Sequence, residues 1–172
     1  MSQKDKGAIL ALVEVSREDC PITNYIKKIG DNAKVEPLRL GETRTMHRID
    51  RCSEPHHVLP KLQRIATNVM RVGKNGFWAE IESCSSCSFF ASSNVVVLSS
   101  KAVDATRIHY RILIQNQTKL KVLERDLETA GLKPNILEAE YENHSMLTER
   151  ERRKWSIWPT GMDTLTLKEA YP

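Results

Sequence analysis

An α+β fold made of two βαββαβ repeats is what this 172-residue chain predicts, and three observations carry the prediction. Segments of period-two hydrophobic alternation are interleaved with short helical patterns and separated by Gly, Pro and Asn-Gly turns. The order strand-helix-strand-strand-helix-strand runs twice along the chain. In each half a strand also delivers a cysteine to the start of the first helix: Val13-Glu14-Val15 leads to Cys20, and Glu80-Ile81-Glu82 leads to Cys84.

Residues 8–15 read as a strand, with Ile9, Ala11, Val13 and Val15 on one face and Leu10 and Leu12 on the other. Asp19-Cys20-Pro21 opens a short helix, with proline suited to the first helical position and Gly30 to the stop. Residues 34–40 and 44–51 form a hairpin around Gly41-Glu42. A helix is expected within 55–67, with Pro60 in its first turn, because a mid-helix proline costs about 3 kcal/mol. Residues 68–72 form a strand that turns at Lys74-Asn75-Gly76, an Asn-Gly hairpin signal.

The second half repeats the series, with a strand at 77–82, a short helix at 84–92, and strands at 94–103 and 107–115. The helix at 117–130 has Leu120, Leu123, Leu127 and Ala130 at helical spacing, and Gly131 with Pro134 ends it. A strand at 133–142 closes the series. Each half is thus a ferredoxin-like unit. The expected domains are a first repeat at 8–75, a second at 76–145 and a short helical tail at 146–172.

Composition narrows the function classes. Hydrophobic content of 40% with 28% charged residues is that of an ordinary globule. No apolar run approaches the ~20 residues of a membrane span, and Met1-Ser2-Gln3-Lys4-Asp5-Lys6 lacks a signal-peptide pattern. A cytoplasmic protein without membrane contact is expected. The net charge of +4 is uneven: residues 1–75 hold 14 basic and 9 acidic side chains, and residues 76–146 hold 7 and 9. Arg39, Arg44, Arg48 and Arg51 cluster on the first hairpin, either as a phosphate-contacting group or as a solvated face.

Chemistry concentrates in the cysteines, Cys20, Cys52, Cys84 and Cys87. Cys84-Ser85-Ser86-Cys87 is a C-x-x-C at a strand-to-helix junction, where exposed N–H groups and the helix dipole favour a thiolate. Half of a tetrahedral thiolate site, a redox pair, and plain core packing are all compatible with it. A metal site, with zinc as the candidate, needs further ligands from Cys20 or from the string Cys52, His56 and His57. His47 and His109 fall on strands and receive no role. Neither a phosphate loop nor a nucleophile elbow is present, so a non-enzymatic protein is expected.

The tail carries two helix-start signatures. Thr148 and Glu151 form a capping box, and Thr166-Leu167-Lys168-Glu169 repeats it. The segments Glu82-Ser83-Cys84-Ser85-Ser86-Cys87-Ser88-Phe89-Phe90-Ala91, Tyr110-Arg111-Ile112-Leu113-Ile114, the helix ending at Gly131, and Leu147-Thr148-Glu149-Arg150-Glu151 together resemble the archaeal bacterio-opsin-activator-like transcription regulators. The resemblance covers residues 76–172, and residues 8–75 by architecture only. It implies a ligand- or signal-sensing region followed by a C-terminal helix-turn-helix. Trp158-Pro159-Thr160-Gly161-Met162-Asp163 departs from the family's turn, and the sequence reaches Tyr171-Pro172 before a base-reading helix.

The resulting expectation is a transcriptional regulator: a sensor of a small ligand or metal with an incomplete DNA-binding tail. Arg150, Arg152, Arg153 and Lys154 would contact DNA, and Trp155 and Trp158 would dock the tail helix. Homodimerisation follows from the two half-sites such regulators bind. The alternative expectation is a metal- or redox-responsive binding protein without a DNA role.

Overall fold

A computed structural model describes residues 7–141, all of which fall in one compact unit. The chain runs β1 (Ile9–Ser16), α1 (Pro21–Ile29), β2 (Lys34–Arg39), β3 (Arg44–Asp50), α2 (Pro55–Ile65), β4 (Ala66–Val72), β5 (Gly76–Glu82), α3 (Ser85–Ser92), β6 (Val96–Ala102), β7 (Arg107–Ile114), α4 (Gln117–Thr129) and β8 (Lys133–Tyr141). The fold is mixed α+β, with two four-stranded antiparallel sheets and four helices among the described residues. No described helix is long and apolar enough to cross a membrane.

The local punctuation acts as the sequence predicts. Pro21 opens α1, and Gly30 closes it at φ 68°, where its N–H reaches back to the Ile26 and Lys27 carbonyls. A residue without a Cβ adopts that left-handed conformation at no steric cost. Asn116 caps α4, its side-chain oxygen accepting from the Lys119 N–H at 2.9 Å. Pro60 differs from expectation: it is the sixth residue of α2, not a first-turn residue. Pro55 already occupies the helix start, where a missing N–H costs nothing. One residue beyond the His56 carbonyl that Pro60 cannot serve, the Tyr25 hydroxyl donates to the His57 carbonyl (3.1 Å).

Strand pairing brings the larger difference. The sheet orders are β6-β7-β1-β8 and β2-β3-β5-β4. Each sheet therefore takes three strands from one half of the chain and one from the other. β1 sits between β7 and β8, with Val13 opposite Tyr110 and Ile136, while β5 sits between β3 and β4, with Trp78 opposite Arg48 and Met70. The division expected at residue 75 does not separate the sheets. Edge strands β2 and β6 are tied by Ser100 Oγ, which donates to the Pro37 carbonyl at 2.7 Å. Pro37 lies on an outer strand, where a missing ladder donor is tolerated.

Two cores result. Ile9, Ala11, Val13 and Val15 of β1 pack with Ile108, Tyr110 and Ile112 of β7 and with Leu120, Leu123 and Leu127 of α4. Ile22 and Ile26 of α1, Val58 and Leu62 of α2, and Phe77, Ala79 and Ile81 of β5 form the second. Helix α1 thus leaves a strand of one sheet and packs into the core of the other. Helix α3 spans both, with Cys87 in the second core and Phe90 in the first.

A candidate thiol–imidazole site between the two cores

The connector from β1 to α1 is bound to the start of α3 and to the β6–β7 turn. Asp19 accepts from the Ser85 N–H (2.7 Å) and from Ser85 Oγ (2.9 Å), so a carboxylate from one crossover caps the helix of the other. The Arg17 N–H donates to the Thr106 carbonyl (2.7 Å), and Thr23 Oγ1 donates to the Ala105 carbonyl (3.1 Å). Ser83, at the end of β5, makes the matching backbone bond to Thr43 in the β2–β3 turn (2.9 Å). These bonds bring two helix N-termini together, each with a cysteine at its cap: Cys20 for α1 and Cys84 for α3.

Cys20, Cys84 and Cys87 are all buried and unbridged. Cys84 is the central member, the thiol on which both Cys20 and Cys87 act. Cys84 Sγ also lies 3.4 Å from Ser86 Oγ, and Cys87 Sγ lies 3.5 Å from the Tyr110 hydroxyl, which donates to Ser86 Oγ at 2.9 Å. The Cys20 hydrogen bond, followed by that of Cys87, holds the Cys84 thiol well below the usual thiol range. The same bonds, with burial, push Cys20 and Cys87 up. Cys84 is therefore the thiol that ionises first, with a thiol donor on either side.

Two further side chains complete the cluster. Arg17 is 4% exposed; its Nη1 donates to the Ala105 carbonyl (3.2 Å), while Nε has no partner. No carboxylate pairs with it among the described residues, and the charged or ionisable groups acting on it are Cys20, Cys84, Tyr110 and Cys87. Sulfur is thus the anion available to a permanently charged, buried guanidinium.

His47 is 2% exposed, on the inward face of β3 beside Thr45 and Ile49. Its Nδ1 lies 3.1 Å from the Thr45 carbonyl, which can only accept, so Nδ1 carries the proton. Nε2 then presents a bare lone pair, buried and without a partner. Burial holds this imidazole down, to about 4, so it is neutral at pH 7. Two surface clefts border the cluster: one of about 460 Å³ includes Thr23 and Ala105, and one of about 740 Å³ includes Arg17, Asp19 and Ser85.

The other expected ligands lie elsewhere. Cys52 is buried in the second core; burial together with Asp31 and Asp50 pushes its thiol up to about 11. His56 and His57 are exposed on the first turn of α2, where His57 Nδ1 pairs with Glu54. Glu54, His56 and His57 are the described residues that bring three donor atoms within 4.8 Å of one another. Of the arginines on the first hairpin, Arg48 pairs with Asp50 and Arg39 lies 3.9 Å from Glu80, so acidic neighbours offset part of that charge. His109 pairs with Glu14 at 2.9 Å. Arg150, Arg152, Arg153 and Lys154, Trp155 and Trp158, and the two capping boxes lie outside the described residues.

His47 and Arg17 are the members that the sequence reading missed. Strand alternation through Thr45, His47 and Ile49 already places the histidine inward, and that was the available signal. Arg17 gave none, because a cation just past a strand end is ordinarily solvated. Comparison with models of known protein families and with curated proteins found no match to this chain.

Proposed function

We propose that the chain is a regulatory protein whose two-sheet body senses a small ligand or metal and passes its occupancy to a DNA-contacting C-terminal segment. One observation carries the sensing part: three cysteines from two separate crossovers meet at the helix starts that follow β1 of one sheet and β5 of the other. A ligand that drew those sulfurs together would act on the starts of α1 and α3 at once, and through them on both cores.

We read the two sheets as tandem ferredoxin-like units with exchanged first strands. The order β8-β1-β7-β6 is that of a βαββαβ unit in which β1 takes the place of β5, and β4-β5-β3-β2 is the reciprocal case. Such an exchange joins the repeats into one body and favours their responding together. A cytoplasmic homodimer using Arg150, Arg152, Arg153 and Lys154 on DNA phosphates completes the reading.

The test is a mobility-shift titration of the full chain on mixed-sequence DNA duplexes at low and high salt, repeated with Cys84→Ser. Salt-sensitive retardation that Cys84→Ser alters supports the proposal. A flat titration at low salt overturns the DNA role. The buried cluster itself would then favour the second reading, a metal- or redox-responsive binding protein that acts through some other partner.

A further inference from the structure

We propose that Cys20, Cys84, Cys87 and His47 are the ligands of a single thiophilic divalent cation of the zinc type, with Arg17 as the counter-charge of the filled site. The inference rests on the sensor reading above and names its ligand.

The donor set fits that class of ion and no harder one. Thiolate and neutral imidazole are the ligands of tetrahedral Cys3His centres, whereas magnesium and calcium require oxygen. His47 has the first half of a metal-binding arrangement: its Nδ1–H is held by a backbone carbonyl, which fixes the tautomer and leaves the Nε2 lone pair free to take a ligand. That orphaned Nε2 belongs to a side chain more than nine-tenths buried. Three thiolates and a neutral imidazole around a dication leave one negative charge in the interior. Arg17 supplies one positive charge, and its unpartnered Nε–H is a donor for thiolate sulfur. Both orphaned atoms of the cluster are thus accounted for by one ion.

The sulfurs must move to hold it. No three of the four donor atoms lie within 4.8 Å of one another, so binding draws Cys20, Cys87 and His47 in around Cys84. The cation binds thiolate sulfur, so it displaces the remaining thiol protons of the three cysteines, and these pass to solvent. Affinity therefore falls as the pH is lowered. Because Cys20 and Cys84 cap different helices, contraction of the site pulls the two helix starts toward each other.

The experiment uses the full chain purified with a phosphine reductant and loaded with zinc or with cobalt(II). Bound metal is counted by elemental analysis after dialysis, and free thiols are counted in parallel. The expected result is one equivalent of metal, three protected thiols, and a cobalt spectrum with tetrahedral d–d and thiolate charge-transfer bands. Cys87→Ser and His47→Asn should each weaken retention at least tenfold, while Cys52→Ser and the His56→Ala/His57→Ala pair should retain a full equivalent. Far-UV circular dichroism of each variant separates ligand loss from unfolding, and His47→Asn keeps the donor to the Thr45 carbonyl for that reason. No retained metal overturns the proposal, as does metal lost only with His56→Ala/His57→Ala. An intramolecular disulfide in place of the metal under the same reductant does so too. Absence of zinc with DNA binding still sensitive to Cys84→Ser would remove the ion and leave the sensor. Zinc bound without any DNA binding would do the reverse.

Discussion

Replacing His47 with asparagine should flatten the acid side of the stability profile of the metal-free protein. In the folded chain, burial lowers the imidazole from 6.5 to about 4, with nearby Arg17 adding to that effect and the Cys84 sulfur opposing it. The unfolded chain accepts a proton near pH 6.5 that the native chain refuses until about pH 4. The contribution is therefore intact above pH 6.5 and is lost as the pH falls from there toward 4. At about 1.4 kcal/mol per tenfold change in proton affinity, the full loss is about 3 kcal/mol, and about 2 kcal/mol is already gone at pH 5. Urea denaturation at pH 7, 6 and 5, with EDTA present, measures it. His47→Asn keeps the bond to the Thr45 carbonyl but cannot titrate, so its stability should drop by about 2 kcal/mol less than wild type between pH 7 and 5. Equal drops in the two proteins would refute the buried, neutral imidazole.

Four other outcomes follow from the packing. Leu127→Ala, at a fully buried position of α4, should cost about 3 kcal/mol by urea denaturation, since a cavity opens against β1 and β7. Asn116→Ala removes the α4 cap bond and should cost about 1 kcal/mol, with earlier hydrogen exchange in the first turn of that helix. Arg51 holds φ 59° between β3 and the buried Cys52, so Arg51→Gly should be neutral or stabilising by up to about 1 kcal/mol. Asp19→Ala uncaps the start of α3 from across the chain, and should speed alkylation of Cys84 more than that of Cys52.

The elements were legible because their ends are written in residues with fixed backbone preferences: Pro21, Gly30, Asn75-Gly76 and Gly131 all stand at boundaries. The pairing was not legible. Alternation in Val13-Glu14-Val15 and in Glu80-Ile81-Glu82 states which face is buried and says nothing about the neighbouring strand, so β1 and β5 fit either sheet equally well on pattern alone. The site was half legible for the same reason. Cys20, Cys84 and Cys87 stood out by chemistry, and their meeting depends on which strands pair in each sheet. The string Cys52, His56, His57 looked like one ligand set because it is close in sequence. Pro55 starts α2 between them, sending Val58 and Leu62 into the core and both histidines to solvent. Pro60 shows the limit of a cost argument, since a helix already anchored by Val58 and Leu62 absorbs a penalty that would break an isolated one.

The most direct test of the buried site is zinc K-edge X-ray absorption on the metal-loaded full chain. The expected first shell is three sulfurs at about 2.3 Å and one imidazole nitrogen at about 2.0 Å, with the nitrogen lost in His47→Asn. A shell of nitrogen and oxygen without sulfur would assign the ion to Glu54, His56 and His57, and would contradict a buried Cys20, Cys84, Cys87 and His47 site.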